Sequence, residues 1–326
     1  MTDKEAMQQY LVDEFLEDYR ERRVTRRDAL KLLTGVTGSL GIAGALLAAC
    51  SPAPAPTAPP APSATAAPPT ATPRPANTAV SEDMRVAQND PAVQAQEVSF
   101  ANGGQTITGY LARPAAGSGP FPLVLICHEN RGLSDHQKDV TRRFGKSGYV
   151  GLAVDLLSRE GGTAKQDRNA IPGKINAGGP ERHVGDFQAA LAYAKTLPFV
   201  NKDRVGMIGF CLGGMVTWMM AAITPELKAI APYYGGNPGN PKVLSNIKAE
   251  VLGVYGGLDE RTNANIPAVE AALKEGNVTY QIKVYPGGTH QFLNDLRESP
   301  QFEYNPVAAR QAWSDTLLLF DRRLKA

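Results

Sequence analysis

The sequence is short of net charge, of histidine and of cysteine. Its 34 basic and 32 acidic side chains leave a formal net charge of +2. A chain that binds nucleic acid usually carries a strongly basic footprint, so no nucleic acid is expected as a partner. Three cysteines, Cys50, Cys127 and Cys211, are too few and too irregularly spaced for a dense disulfide framework or a zinc motif. An odd number also means that each thiol needs its own explanation. Only four histidines occur, His128, His136, His183 and His290, so imidazole chemistry must use one of them. There is no internal repeat. What is present is an ordinary globular composition, 43% hydrophobic, at a length that allows one large or two average domains.

The first eighty residues read as an address and a tether. Residues 10–27 are mostly charged and contain the pairs Arg22-Arg23 and Arg26-Arg27. Residues 32–49 carry no charge and are rich in glycine and alanine. Such a run is at the lower limit for spanning a bilayer, about 18 apolar residues. A basic region, an apolar region and then small residues is the layout of a signal peptide. Thr25-Arg26-Arg27-Asp28-Ala29-Leu30-Lys31 resembles the twin-arginine export signal, a receptor-read address, with Ala29 where an aromatic is common. Leu47-Ala48-Ala49-Cys50 resembles the bacterial lipobox, whose cysteine receives lipid and becomes the mature N-terminus. The competing reading is an uncleaved signal anchor with an incidental cysteine. Residues 51–79 are nearly all Pro, Ala, Thr and Ser. Such a stretch cannot bury a core and stays extended and semi-rigid. The expected organisation is therefore a signal peptide over 1–49, a lipidated Cys50 with a tether over 50–79, and one catalytic domain over 80–326. The protein is expected to be exported and held by lipid on the outer side of the membrane.

Beyond the tether, strand-like and helix-like stretches alternate. Residues 105–112 alternate apolar and polar, as a half-buried hairpin strand does. Residues 123–127, 149–157, 204–210, 229–234 and 251–255 are apolar runs of the kind buried on both faces of a parallel sheet. Helical patterns fill 134–146, 182–196, 213–223, 266–275 and 305–324, with a last strand at 279–285. This predicts an α/β fold, a mostly parallel sheet covered by helices on both faces. Ligands bind such sheets at the carboxyl ends of the strands.

Five positions after strands carry chemistry. Gly209-Phe210-Cys211-Leu212-Gly213 has the form of a nucleophile elbow with cysteine in place of serine. The helix that follows offers backbone N–H groups and positive potential to a thiolate. A buried structural cysteine in a glycine-rich turn is the plainer alternative. Asp259 follows a buried strand, where a helix N-cap is the alternative, and His290 follows Tyr285-Pro286-Gly287-Gly288. Nucleophile, acid, histidine is the triad order of α/β-hydrolases. Imidazole takes the thiol proton, and a carboxylate fixes its tautomer. His136 and His183 fall in helices predicted to lie at the surface, and His128 precedes the nucleophile. Cys127-His128-Glu129-Asn130-Arg131-Gly132 occupies the place that supplies a second oxyanion N–H, so the donors are assigned to the amides of Leu212 and Asn130. Arg159, at a strand end, suits a substrate carboxylate, with a surface ion pair as the alternative. Cys127 reads as a buried small hydrophobe, or as a partner for Cys211 in a disulfide.

From about residue 98 to 324 the chain resembles the dienelactone hydrolase family of α/β-hydrolases. The pieces that match are His128-Glu129 with Gly132, Asp155-Leu156-Leu157-Ser158-Arg159 with Glu160-Gly161-Gly162, Gly209-Phe210-Cys211-Leu212-Gly213-Gly214, Tyr255-Gly256-Gly257-Leu258-Asp259 and His290-Gln291-Phe292. The resemblance implies a Cys211–His290–Asp259 triad, a Glu129 that controls the resting thiol, and an Arg159 that binds a substrate carboxylate. The family's dienelactone-cleaving members carry a second arginine four residues after the histidine. Here that position is Asn294, and Arg297 is the nearest substitute. The expected activity is hydrolysis of a small ester or lactone without metal or organic cofactor. A lipid-anchored ligand-binding protein, and an acyltransferase or thioesterase using the same triad, are the alternatives.

Overall fold

The computed structural model describes residues 1–50, 84–296 and 304–326. The tether at 51–79 and the substitute Arg297 lie outside the described residues. Three helices come first: α1 (Asp3–Arg20), α2 (Arg26–Thr37) and α3 (Leu40–Ala49). A hairpin of β1 (Val93–Asn102) and β2 (Gln105–Pro114) follows, and then β3 (Phe121–Cys127), α4 (Asp135–Lys146) and β4 (Val150–Val154). Next come α5 (Ile171–Gly178), α6 (Pro180–Ala194), β5 (Val200–Phe210), α7 (Leu212–Ile223) and β6 (Leu227–Tyr233). The chain ends with β7 (Glu250–Gly256), α8 (Glu260–Asn263), α9 (Ile266–Glu275), β8 (Tyr280–Tyr285) and α10 (Pro306–Phe320).

One eight-stranded sheet runs in the order β1-β2-β4-β3-β5-β6-β7-β8. The β1–β2 and β2–β4 pairings are antiparallel, and every pairing from β4 to β8 is parallel. The central strands are apolar because helices cover both their faces. All of β4 is buried, as is β3 beyond Phe121. The carboxyl ends of β3, β5, β6, β7 and β8 therefore share one rim, which collects the residues singled out above.

Two expectations need correction. The strand predicted over 149–157 stops at Val154. Asp155 ends it by bonding locally: its Oδ1 accepts from the Leu157 amide at 3.0 Å and its Oδ2 from the Thr163 amide at 2.7 Å. Side chains of this type compete with a strand ladder for backbone groups. His136 and His183 do lie in helices, but both are buried rather than at the surface. His183 Nε2 is held at 2.9 Å from the Ile175 carbonyl oxygen, and His136 meets the ring of Phe210 and the Asp295 carboxylate.

The uncharged run at 32–49 is not one helix. Gly38 ends α2 in the left-handed region, at φ 70°, and its N–H returns to the Thr34 carbonyl at 2.8 Å. Among the described residues, no helix is long and apolar enough to cross a membrane. Instead α1 packs against α2, α5, α6 and α7. Met7, Leu11 and Phe15, one helical turn apart, are fully buried. Burying each such side chain is worth about 1.5–3 kcal/mol before entropy is counted.

Candidate active site

Cys211 sits between β5 and α7 at φ 56° and ψ −120°. A non-glycine residue there costs roughly 1–3 kcal/mol, and such strain persists only when its surroundings enforce it. Here the enforcement is visible. The Cys211 amide donates to the Tyr233 carbonyl at 3.0 Å, which ties the turn to β6. A Cβ on Gly209 would fall on the carbonyl of Gly213, and one on Gly213 would lie 2.5 Å from the carbonyl oxygens of both Cys127 and His128. Only glycine lets β5, α7 and the end of β3 approach this closely.

Asp259 and His290 come from the ends of β7 and β8. His290 Nδ1 and Asp259 Oδ2 are 2.6 Å apart, both groups buried. The other Asp259 oxygen accepts from the Thr262 amide at 3.2 Å. The residue is thus a helix N-cap and a histidine partner at once. Burial opposes its ionisation, but the charge and hydrogen bond of His290 outweigh burial and bring Asp259 down to about 2. For His290, burial opposes the charged form and the Asp259 carboxylate overcomes it, so the imidazole lies above its ordinary range. A ring nitrogen of His290 and the Cys211 sulfur lie within 4.8 Å of each other.

Beside the thiol are Glu129 and Asn130, both buried. Glu129 Oε2 accepts from the Asn294 side-chain amide at 3.1 Å, and Oε1 has no hydrogen-bond partner among the described residues. Asn294 therefore ties down an acidic side chain at the position where the family's pattern has its second arginine. Burial, with the charges of Glu14 and Glu129, pushes the Cys211 thiol well above its usual range. Hydrogen bonds from Tyr10 and from the Leu212 amide pull it only partly back. The surroundings as a whole favour the protonated sulfur.

Arg159 is ion-paired with the buried Asp186, so its guanidinium is already engaged. Cys127 is buried and free, as is Cys211, and no disulfide joins them. Cys50 ends α3 half-buried, with its sulfur 3.0 Å from an Arg20 nitrogen.

Sequence reasoning missed the residues that close the site. The Tyr10 hydroxyl lies 3.4 Å from the Cys211 sulfur, 3.4 Å from His290 Nε2 and 3.2 Å from the Tyr234 carbonyl oxygen. Glu14 Oε2 accepts from the Cys211 thiol at 3.4 Å, and Oε1 accepts from the Asn130 side chain at 2.9 Å. Arg261 is bonded to Glu17 at 2.7 Å and stands over the Tyr10 ring, 4.8 Å from its centre. Tyr234 packs its ring on His290 at 5.0 Å. The signal available was periodicity. Tyr10, Glu14 and Glu17 recur at i, i+4 and i+7, one face of a helix. Glu14, Cys211 and His290 form a group of possible metal donors, but the Tyr10 hydroxyl stands against both the sulfur and the imidazole.

A cysteine on a strained strand-to-helix turn, with an Asp–His pair from the next strand ends of a mostly parallel sheet, is the architecture of an α/β-hydrolase. Among solved structures, a dienelactone hydrolase of Klebsiella pneumoniae aligns with a TM-score of 0.63 at 29% identity, over 71% of this chain and 99% of that one. A dienelactone hydrolase-like promiscuous phosphotriesterase from metagenomic libraries aligns with a TM-score of 0.65 at 27% identity, over 71% and 99%. The model of the Dienelactone hydrolase family matches residues 107–324. Relatives named as carboxymethylenebutenolidases include one from Methylorubrum extorquens, 35% identical over 72% of this chain and 83% of its own. Another, from Synechocystis sp., is 34% identical over 70% and 96%. The chain belongs to the dienelactone hydrolase family and is an enzyme of its hydrolase class.

Proposed function

We propose that the protein hydrolyses a small carboxylic ester or lactone through a Cys211–His290–Asp259 triad. The observation that carries this is the strained Cys211 turn, with its sulfur beside a histidine that is locked to a buried carboxylate. His290 takes the thiol proton, and Asp259 fixes the tautomer and steadies the imidazolium. The sulfur adds to the carbonyl carbon, and the oxyanion turns to the amides of Leu212 and Asn130. Collapse expels the alkoxide, which leaves with the proton from His290. Water, deprotonated by His290, then attacks the thioester and releases the acid and the thiol. Glu129 keeps the resting sulfur protonated until substrate arrives. Arg159 anchors a substrate carboxylate with the guanidinium N–H groups that its pairing with Asp186 leaves over. Turnover of short p-nitrophenyl esters and of lactones is expected to vanish in Cys211→Ala. Turnover equal to that of a parent chain that itself turns these substrates over would sink this mechanism.

We also infer export and lipid attachment at Cys50, with residues 1–49 removed, 50–79 as tether and 80–326 facing outward. The order of paired arginines, uncharged run and Leu47-Ala48-Ala49-Cys50 supports this reading. Labelled fatty acid should enter the wild-type protein in membrane fractions and be absent from Cys50→Ala. Equal labelling would remove the assignment.

A further inference from the structure

Helix α1 takes every feature that a substrate needs. A reacting carbonyl must come to about 3–3.5 Å from the attacking sulfur. The Tyr10 hydroxyl and a Glu14 oxygen are each already 3.4 Å from it. Tyr10 also stands at 3.4 Å from His290 Nε2, the nitrogen that must exchange protons with sulfur and leaving group. Glu14 also holds the side chain of Asn130, the residue assigned above as an oxyanion donor. We propose that α1 is an intramolecular inhibitor: docked, it keeps the hydrolase closed, and its departure opens the site. The activity it restrains is the one assigned above to Cys211, and the inference rests on that assignment.

The contacts are those of a ligand rather than of a structural strut. A helix that only completed a core would offer apolar side chains to the cleft. This one buries a phenol and a carboxylate whose partners are the nucleophile, the histidine and Asn130. The apolar residues Met7, Leu11 and Phe15 provide the grip. The polar latch is peripheral: Glu17 on Arg261 at 2.7 Å, and the Asp3 carboxylate on the Gly239 amide at 2.7 Å. The inhibition is chemical as well as steric. Burial and the Glu14 charge are the first two causes that hold the thiol protonated, and α1 supplies all of the second and part of the first. Because α1 and Cys50 lie in one N-terminal segment, cleavage before Cys50 would also sever α1 from the catalytic domain.

The test uses the full chain and two readouts, turnover of p-nitrophenyl acetate and alkylation of each cysteine by iodoacetamide, followed by mass. In the parent chain Cys211 should alkylate far more slowly than the half-buried Cys50. Glu17→Arg sets like charge against Arg261 at a half-buried site at the edge of the helix. Both rates should rise in proportion to the open fraction, about tenfold for each tenfold gain in that fraction. A chain with a protease site inserted between 51 and 79 covers the case of a variant that does not fold. After cleavage, both rates should climb on dilution as the helices leave. Fast alkylation of Cys211 in the parent chain, or rates that stay fixed in both the variant and the diluted cleaved chain, would overturn the proposal. If alkylation rises while turnover stays absent, α1 is still a plug and the hydrolytic reading is what fails.

Discussion

The rim of the sheet and the N-terminal helix both place side chains on the Cys211 sulfur, but they do so by different means. At the rim, backbone necessity decides. Cys211 is held at φ 56° by a turn that glycines permit on either side, and Asp259 and His290 stand at fixed distances past β7 and β8. On α1, side-chain fit decides, since Tyr10 and Glu14 reach the site only because Met7, Leu11 and Phe15 hold the helix down. The first arrangement cannot be undone without unfolding the sheet edge. The second can be undone by lifting one helix. Chemistry that must persist is thus built into strand ends, and contacts that must be released are built onto a separable element.

The largest effect that would sharpen this contrast is at the rim. In chain opened by Glu17→Arg, Asp259→Asn keeps the shape but turns the His290 tautomer the wrong way, and turnover should fall by about ten-thousand-fold. Glu14→Gln, on the helix, should do the opposite and leave turnover equal or higher. Matching losses from both would mean that α1 belongs to the machinery, and the contrast would be broken. Next in size is Gly213→Ala, whose new methyl would meet two carbonyl oxygens at 2.5 Å. Denaturant unfolding should show a loss of about 3 kcal/mol or more, in the range of severe overpacking and backbone strain. A mild loss would show that the turn has slack and that backbone necessity was overstated.

A smaller effect separates the two regions by pH. The Cys211 thiol is raised in the folded chain, so the unfolded chain gives up that proton first, near pH ~8.5. The unfolded state binds fewer protons above that point, and stability should decline as pH rises through it. The Asp259 carboxyl, lowered to about 2, gives the reverse: its contribution is full above the unfolded value near ~3.9 and fades as pH falls toward 2. Displacing α1 should weaken the alkaline decline, because Glu14 and part of the burial go with it. The acid limb should remain, since Asp259 owes its shift to His290 before any group on α1. Thermal melting of the parent chain and Glu17→Arg across pH checks both limbs. A change in the acid limb alone would contradict the division.

The same division explains what the sequence could disclose. Strand ends were legible because buried strands leave apolar runs, and a nucleophile elbow leaves a G-x-C-x-G signature that follows from close backbone approach. Asp259 and His290 stand out in the sequence by their order and by their places after strands, and the fold brings them within 2.6 Å of each other. Asp155 reads as strand because its apolar neighbours dominate the pattern, while its bonds to Leu157 and Thr163 depend on a turn that the pattern does not encode. His136 and His183 read as surface residues because a helix's outward face cannot be told from sequence when both faces meet other layers. Tyr10 and Glu14 were illegible for a deeper reason. A charged stretch before paired arginines reads as solvated, and its fit to Cys211 is long-range, across 201 residues for Tyr10.

Arg159 tests the contrast at its smallest scale, because it stands at the rim but is held by a side chain. Its partner Asp186 is buried and also accepts from the Asn102 side-chain NH2 at 2.8 Å. Removing the arginine alone would strand that carboxylate and confuse binding with stability. The informative variant is therefore Arg159→Gln with Asp186→Asn, measured in chain opened by Glu17→Arg. If Arg159 anchors substrate, KM for carboxylate-bearing esters should rise about fivefold, roughly 1 kcal/mol, with kcat unchanged and neutral esters unaffected. If both ester types lose equally, or neither does, the arginine is a strut between the β4 end and α6.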